Sequence, residues 1–180
     1  MLICRSESIL SAVAVVVSLV LLGASPGWAQ QKDGDQRKQL VGSWKVLSYK
    51  AQSEGQQEWR EPLGPNPKGY VVFTAGGRVM QMITAAGRKA PSNDAERAAL
   101  LSSMNVWSGK YTVAKDQITV VVDTSWAEAH QGERQKQVRF FRIDGNRLTW
   151  RTPPQIGGRA LTAGTSQGKS VTEIVMEREK

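Results

Sequence analysis

A single carboxylate in an apolar stretch is the residue of this 180-residue chain that is best placed to do chemistry. Asp123 lies in "ITVVVDTS", in which every other residue is apolar or carries a hydroxyl group. If this carboxylate faces an apolar interior, leaving it unpaired is costly, and Arg139 in "QVRF" is the partner we expect. Such a pair is either a structural ion pair or a site of ligand recognition, and the sequence leaves both open.

Acid–base chemistry has few candidates. Asp123 and Tyr111 are the two weak ones, as proton donor or acceptor. His130 is the only histidine and lies between Glu128 and Glu133 in a polar loop, so we expect a solvated residue. The sequence contains no glycine-rich phosphate loop, nucleophile elbow, Cys-x-x-Cys or His-Glu-x-x-His motif. We therefore predict no metal and no cofactor, and an enzyme is the weaker hypothesis.

Aromatic and sulfur-containing side chains are the material of an apolar binding site. The residues expected to line it are Tyr70, Phe73, Met80, Trp107, Tyr111, Asp123, Arg139, Phe141 and Trp150. The same side chains make either a packed core or a cavity wall, because about eight strands enclose an interior that is filled or open to one small ligand. The sequence does not decide between the two.

Alternation of apolar and polar residues predicts the strands that position these side chains. The stretch "LVGSWKVLSY" has a period of two, with Trp44, Val46 and Ser48 on the face opposite Tyr49. Two apolar runs around "AGGR" and two more around "DGN" predict β-hairpins.

One segment has helical signals. "PSNDAERAALLSSM" begins with the start signals Ser92 and Asn93 and continues with good helix formers to Met104. The residues of this helix expected to be partly buried are Ala95, Ala98, Ala99 and Leu101 or Leu100. One short helix among about eight or nine strands predicts an all-β protein, either an antiparallel barrel or a sandwich.

The amino-terminal residues 1–29 have the layout of a secretory signal peptide. Arg5 precedes the apolar run "ILSAVAVVVSLVLL", which is shorter than the roughly 20 residues of a spanning helix, and small residues lead to a predicted cleavage after Ala29. Residues 30–39 are polar and aperiodic, which predicts a disordered leader before one domain of residues 40–180. The predicted location is the periplasm or the exterior of the cell.

The chain is basic, with 24 Lys and Arg against 16 Asp and Glu and a net charge of +8. Removal of the signal leaves this excess unchanged, because Arg5 and Glu7 cancel. The basic residues are scattered, which is typical of a solvated surface with at most weak contact to anionic envelope material. No basic cluster or stacking motif accompanies the charge, so no nucleic-acid partner is predicted.

Six stretches in order carry a resemblance to a known family. They are "LVGSW", "PLGPNPKGYVVFTAGGRV", "WSGKYTV", "VDTS", "QVRFFRIDGNRLTWRTPP" and "VMERE". Together they cover nearly all of Leu40 to Glu179 and resemble the bacterial lipocalin-like domain family. The resemblance implies an antiparallel lipocalin-like β-barrel of about eight to nine strands with one short helix.

The resemblance also implies structural roles for three residues. Gly42 lets the first strand enter closely, Trp44 plugs the closed end, and Arg178 lies across the indole ring. Members of the family often carry histidines and a glutamate where this chain has Val120, Val121 and Asp123, a departure that weakens an acid–base role.

The leading hypothesis is an exported, monomeric or weakly associating barrel that binds a small, mostly apolar molecule. One alternative is a cofactor-free isomerase or cyclase that uses Asp123 and Tyr111. The other is a structural envelope protein with a filled barrel.

Overall fold

A computed structural model describes residues 27–127, 136–156 and 169–180. Its elements are α1 (Gly27–Leu40), β1 (Gly42–Ser53), β2 (Lys68–Phe73), β3 (Arg78–Thr84), α2 (Asp94–Ser102), β4 (Met104–Ala114), β5 (Gln117–Ser125), β6 (Lys136–Asp144), β7 (Arg147–Arg151), β8 (Gln155–Ile156) and β9 (Lys169–Arg178). All strand pairs are antiparallel.

Eight of the strands close into a barrel. Each strand from β1 to β6 pairs with the next, β7 pairs with β9, and β9 pairs back with β1. The short β8 pairs with the beginning of β9. The prediction of an all-β, lipocalin-like barrel is therefore confirmed, and the alternative of an open sandwich is removed.

The two ends of the barrel differ. The tight turns between β2 and β3, β4 and β5, and β6 and β7 lie at the end where β1 begins, next to α1. The longer connections, between β1 and β2, β3 and β4, β5 and β6, and β7 and β9, leave from the opposite end. We call these the closed end and the open end.

The core lies inside the barrel and is built from alternate residues of each strand. In β4, Trp107, Gly109 and Tyr111 face inward, while Lys110 and Thr112 are exposed. Strand β7 alternates in the same way, as the sequence predicts.

Strand β1 departs from the predicted alternation at a β-bulge. Val46 lies opposite Met176 and Ser48 lies opposite Val175, so Leu47 is an extra residue in the ladder. The extra residue reverses the faces beyond it. Tyr49 is therefore buried with Trp44, and its assignment to the opposite face is wrong.

Residues 30–39, predicted as a disordered leader, belong to helix α1 in the structure. Tertiary contacts hold the helix to the closed end. The Nη2 of Arg37 donates to the carbonyl of Ala75 at 2.8 Å, and the guanidinium carbon lies 5.6 Å from the ring centroid of Tyr111. Leu40 at the end of the helix is fully buried. Residues 1–26 of the predicted signal peptide lie outside the described residues.

Helix α2 begins where predicted and ends two residues before Met104. Asn93 caps it, its Oδ1 accepting from the Glu96 N–H at 2.9 Å, and Glu96 accepts from the Ser92 N–H at 2.7 Å. Leu100 is half-buried, as one of the two alternatives predicted. The expected burial of the alanines is wrong, because Ala95, Ala98 and Ala99 are exposed. A closed barrel covers its own inner face and needs no helix to do so.

Candidate functional site

Trp44 fills the closed end of the barrel. Its ring is fully buried, and its Nε1 donates to the carbonyl of Leu40 at 2.8 Å. The guanidinium carbon of Arg178 lies 4.2 Å from the centroid of the indole ring. Arg178 also donates to the carbonyls of Val41, at 2.8 Å, and of Gln39. Every one of these groups is satisfied, so the closed end is a structural plug.

Gly42 makes room for this plug. Its φ is +132°, a backbone conformation that residues with a side chain rarely adopt. A Cβ at this position would lie 2.8 Å from Nη1 of Arg178. A larger residue would push the guanidinium off the tryptophan.

An aromatic cluster forms the inner wall above the plug. The ring of Phe73 meets Tyr111 edge to face at 5.2 Å and Trp150 at 6.0 Å between centroids. Trp150 stacks on Trp107 with 6.2 Å between centroids and 14° between planes. Phe141 lies opposite Trp150 in the β6–β7 ladder and also faces inward. These five predicted ligand-lining residues therefore share one apolar interior.

Tyr111 is held in that wall by its hydroxyl group. The OH donates to the carbonyl of Thr74 at 3.1 Å, and the side chain is buried. Its proton already has an acceptor in the backbone, which disfavours the role of proton donor.

Arg139 brings a positive charge into the interior. It faces inward from β6, is 9% exposed, and its guanidinium carbon lies 5.8 Å from the ring centroid of Trp150. Its Nη1 donates to the carbonyl of Val138 at 2.9 Å and its Nη2 to Oε1 of Gln137 at 2.5 Å. Burial lowers the pKa of Arg139 to about 10, so the guanidinium remains charged at neutral pH.

Two further polar residues face the same interior. The Nδ2 of Asn105 donates to the hydroxyl of Tyr49 at 3.3 Å. Burial raises the pKa of Tyr49, while the hydrogen bond from Asn105 and the charge of Arg139 oppose the rise. Within the described residues, Oδ1 of Asn105 and Nε1 of Trp150 are buried and have no hydrogen-bond partner. We call Tyr49, Asn105, Arg139 and Trp150 the interior polar cluster.

The interior polar cluster lies toward the open end. Asn105 is near the start of β4, Arg139 is near the start of β6, and Trp150 is near the end of β7. All three positions are at the side from which the longer connections leave, whereas Trp44 and Arg178 are at the opposite side.

Asp123 is not inside the barrel. The ladder pairs Ser108 with Thr124 and Gly109 with Val122, so Asp123 is the extra residue of a second bulge. A Cβ on Gly109 would lie 2.3 Å from the carbonyl oxygen of Val121, so glycine allows the close approach there. Ile118, Val120 and Val122 face inward, so the alternation of β5 points the carboxylate of Asp123 outward, and the predicted partnership with Arg139 is wrong.

The partner of Asp123 is Arg78 on the outer surface. Their side chains form a bidentate ion pair, with Nη2 to Oδ2 at 2.9 Å and Nη1 to Oδ1 at 3.0 Å. Ser108 Oγ donates to Oδ1 at 3.1 Å. Hydrogen bonding from Arg78, more than that from Ser108, lowers the pKa of Asp123, so a neutral acid or a general base is disfavoured here.

Tyr70 and Met80, both predicted to line the interior, also face outward. Their exposed fractions are 37% and 44%, because Val71 and Val79 take the inward positions of β2 and β3. They contribute to an apolar groove of about 360 Å³ on the outer face of β2 to β5. The other groove residues are Val72, Gln81, Met82, Val106, Trp107, Ser108, Thr124, Ser125 and Trp126.

Sequence reasoning missed Tyr49, Asn105 and the buried Gln81. The inward position of Tyr49 follows from the bulge in β1, which cannot be predicted from the residue types there. The alternation of β3 could have found Gln81, since it lies between Val79 and Ile83 on the same face. His130 lies outside the described residues.

The described residues were also considered for a metal site and for a membrane-spanning helix. Among them, no group of three or more His, Cys, Asp and Glu side chains could hold a metal ion. None of the helices found in the described ranges is long and apolar enough to cross a membrane.

Comparison with known proteins identifies a family and several similar solved structures. The model of a lipocalin-like domain family matches residues 41–178. The structure of EF1p2_mFAP2b bound to DFHBI is 16% identical, with a TM-score of 0.39, over 82% of this chain and 98% of that one. An uncharacterized protein from Bacteroides eggerthii DSM 20697 is 10% identical, with a TM-score of 0.36, over 78% and 99%. Comparison with curated proteins gives no match. Similarity at these levels says nothing about what this chain binds.

Proposed function

The chain belongs to the lipocalin-like domain family, and we propose that it binds a small, mostly apolar molecule inside its barrel. The observation that carries the proposal is the aromatic inner wall between the plugged end and the open end. Binding sites for small molecules are lined mainly by apolar and aromatic side chains with a few polar groups that orient the ligand. The cluster around Trp150 and the nearby Arg139 has this composition.

The interior polar cluster disfavours the alternative of a filled, purely structural barrel. Buried polar groups in a packed core are nearly always hydrogen-bonded. In the described part of the chain, Nε1 of Trp150 and Oδ1 of Asn105 have no partner. A bound molecule with a polar group, or water, would supply what the protein does not.

The outward position of Asp123 disfavours the alternative of an isomerase or cyclase. Its carboxylate is paired with Arg78, and the hydroxyl of Tyr111 is bonded to the backbone. The two residues proposed for proton transfer therefore do not share a site.

The test is ligand capture followed by variants of neighbouring residues. The mature protein is purified without denaturation, examined by native mass spectrometry, and extracted for small molecules. A reproducible bound mass supports the proposal. An unliganded protein that also gains no thermal stability from a panel of apolar molecules contradicts it, because saturation at about 100 Kd stabilises a protein by about 2.7 kcal/mol.

Phe141 and Phe140 form a matched pair for locating the ligand, since they are adjacent in β6 and face opposite sides. We expect Phe141→Leu to weaken binding about five-fold or more, as loss of an aromatic contact does. Phe140→Leu, at a position that is 43% exposed, leaves the affinity unchanged. Loss of binding in Met80→Gln instead would locate the molecule in the outer groove.

We also propose that the chain is exported to the periplasm or beyond the cell, with a mature chain that begins at Gln30. The support is the basic, apolar and small-residue order of the first 29 residues. Cleavage after Ala29 retains the part of α1 that carries Arg37 and Leu40.

A further inference from the structure

Arg139 is a buried cation that has no anionic partner in the described part of the chain. Its side chain is nine-tenths buried, and no carboxylate among the described residues lies within ion-pair distance of it. A charge removed from water is costly unless a counter-charge or a full set of hydrogen bonds replaces the lost solvent. Among the described residues neither is present around Arg139, so the described part of the interior leaves this positive charge uncompensated.

The hydrogen bonds of Arg139 leave part of the guanidinium free. The group has five N–H donors, of which one bonds to the Val138 carbonyl and one to Gln137. Both acceptors are neutral and come from β6 itself. They hold the side chain in place and leave donors for a further group.

Trp150, which lies next to Arg139, also has a hydrogen-bond donor without an acceptor among the described residues. Arg139 lies over the ring of Trp150, and the indole Nε1 is buried without an acceptor in the described ranges. Trp150 is 1% exposed, so bulk water does not satisfy it. Two neighbouring inward-facing residues from β6 and β7 thus both have N–H donors without an acceptor among the described residues.

We propose that the molecule bound in the barrel is an apolar carboxylic acid, whose carboxylate pairs with Arg139 beside Trp150. This inference rests on the proposed function and narrows the ligand class. Guanidinium donors match a carboxylate in geometry, and hydrogen bonds between charged groups are stronger than neutral ones. The aromatic wall receives the apolar part. The net charge of +8 also favours the approach of an anion.

The free protein supplies a second signature. If Arg139 serves ligand binding and not the fold, its replacement by an apolar side chain should not lower the stability of the ligand-free protein. Buried charged groups can often be replaced by apolar residues without loss of stability. We therefore expect Arg139→Met to melt at the temperature of the wild type or above it in the absence of ligand.

The experiment compares acids with their own amides. Decanoate and decanamide form one pair, and 2-naphthoate and 2-naphthamide form a rigid pair. Their affinities are measured by titration calorimetry on the wild type, Arg139→Met, Arg139→Lys and the matched control Arg142→Met, which lies on the outer face of the same strand. We expect the wild type and Arg142→Met to prefer the acid at least about ten-fold in the pair that fits.

Arg139→Met should reduce this preference to about two-fold or less while the amide binds as before. Arg139→Lys should restore part of it. Equal binding of acid and amide by the wild type would overturn the inference and leave the proposed function standing. A large fall in the melting temperature of ligand-free Arg139→Met would overturn it too, as a structural role. If neither member of either pair binds, the proposed function fails, and the inference with it.

Discussion

At the scale of single residues, two arginines on tryptophans perform different tasks. Arg178 over Trp44 has backbone acceptors at two of its nitrogens and closes an end of the barrel. Arg139 over Trp150 lies inside, and its acceptors among the described residues are neutral groups of its own strand. A cation on an indole ring contributes about 0.5 to 2 kcal/mol, depending on desolvation. The first arrangement serves stability, and we assign the second to recognition.

Trp44→Ala tests the plug. We expect a loss of about 3 to 5 kcal/mol in the free energy of unfolding, because a large ring is removed from a fully buried site. Denaturant melts followed by circular dichroism measure it. Trp59→Ala is the control, since Trp59 also has an arginine over its ring, Arg151 at 5.0 Å, but is only partly buried. A loss for Trp44→Ala below about 1 kcal/mol would contradict the role of plug.

At the scale of elements, strand alternation and a β-bulge decide which side chains reach the interior. Leu47 is the extra residue of β1 and brings Tyr49 inward, because a shift of one residue exchanges the faces of a strand. In β5, Asp123 follows the inward-facing Val122 and therefore points outward, to Arg78. Helix α1 likewise becomes part of the fold through Arg37 and Leu40.

The outer ion pair of β5 predicts a dependence of stability on pH. The hydrogen bond from Arg78 lowers the pKa of Asp123 in the folded state below its ordinary value of 3.8. The unfolded state therefore binds the proton more readily, and the pair stabilises the fold above about pH 4. That contribution is lost as the pH falls through the lower, folded-state pKa.

We expect Asp123→Asn to melt a few degrees lower than the wild type at neutral pH, since the pair is exposed and screened by solvent. The difference should shrink below pH 4 and disappear in stronger acid. Thermal melts of both proteins across this range measure it. A difference that grows as the pH falls would contradict the assigned pairing.

At the scale of the whole molecule, function follows from the asymmetry of the barrel. The closed end has tight turns, the plug of Trp44 and helix α1, whereas the open end has the longer connections and the interior polar cluster. A molecule that enters the interior is therefore expected to come from the open end. The chain carries a net charge of +8 from basic residues that are scattered along the sequence, which is typical of a solvated surface.

Export predicts the amino terminus of the mature protein. We expect the intact mass of the protein recovered from the periplasm or the medium to correspond to a start at Gln30. The physical reason is the short apolar run that precedes the small residues up to Ala29. Recovery of the protein with Met1 intact would contradict export by cleavage. Ala29→Leu is a suitable variant, because a bulky residue at the site should block processing.

The sequence by itself determined the strands, the hairpin turns and most inward faces, because these depend on local periodicity and on turn chemistry. The residues of the plug came from the resemblance to the lipocalin-like domain family. The alternation of β5 already indicates that Asp123 lies on the face opposite Ile118, Val120 and Val122. Only the tertiary structure decided that Tyr49 is inside and that Arg139 has no acidic partner among the described residues. The reason is physical: a strand keeps its period of two only until a bulge adds a residue, and a bulge depends on the register with the neighbouring strand. Helix α1 likewise depends on tertiary contacts, since Arg37 contacts Ala75 and Tyr111, which are distant from it in the sequence.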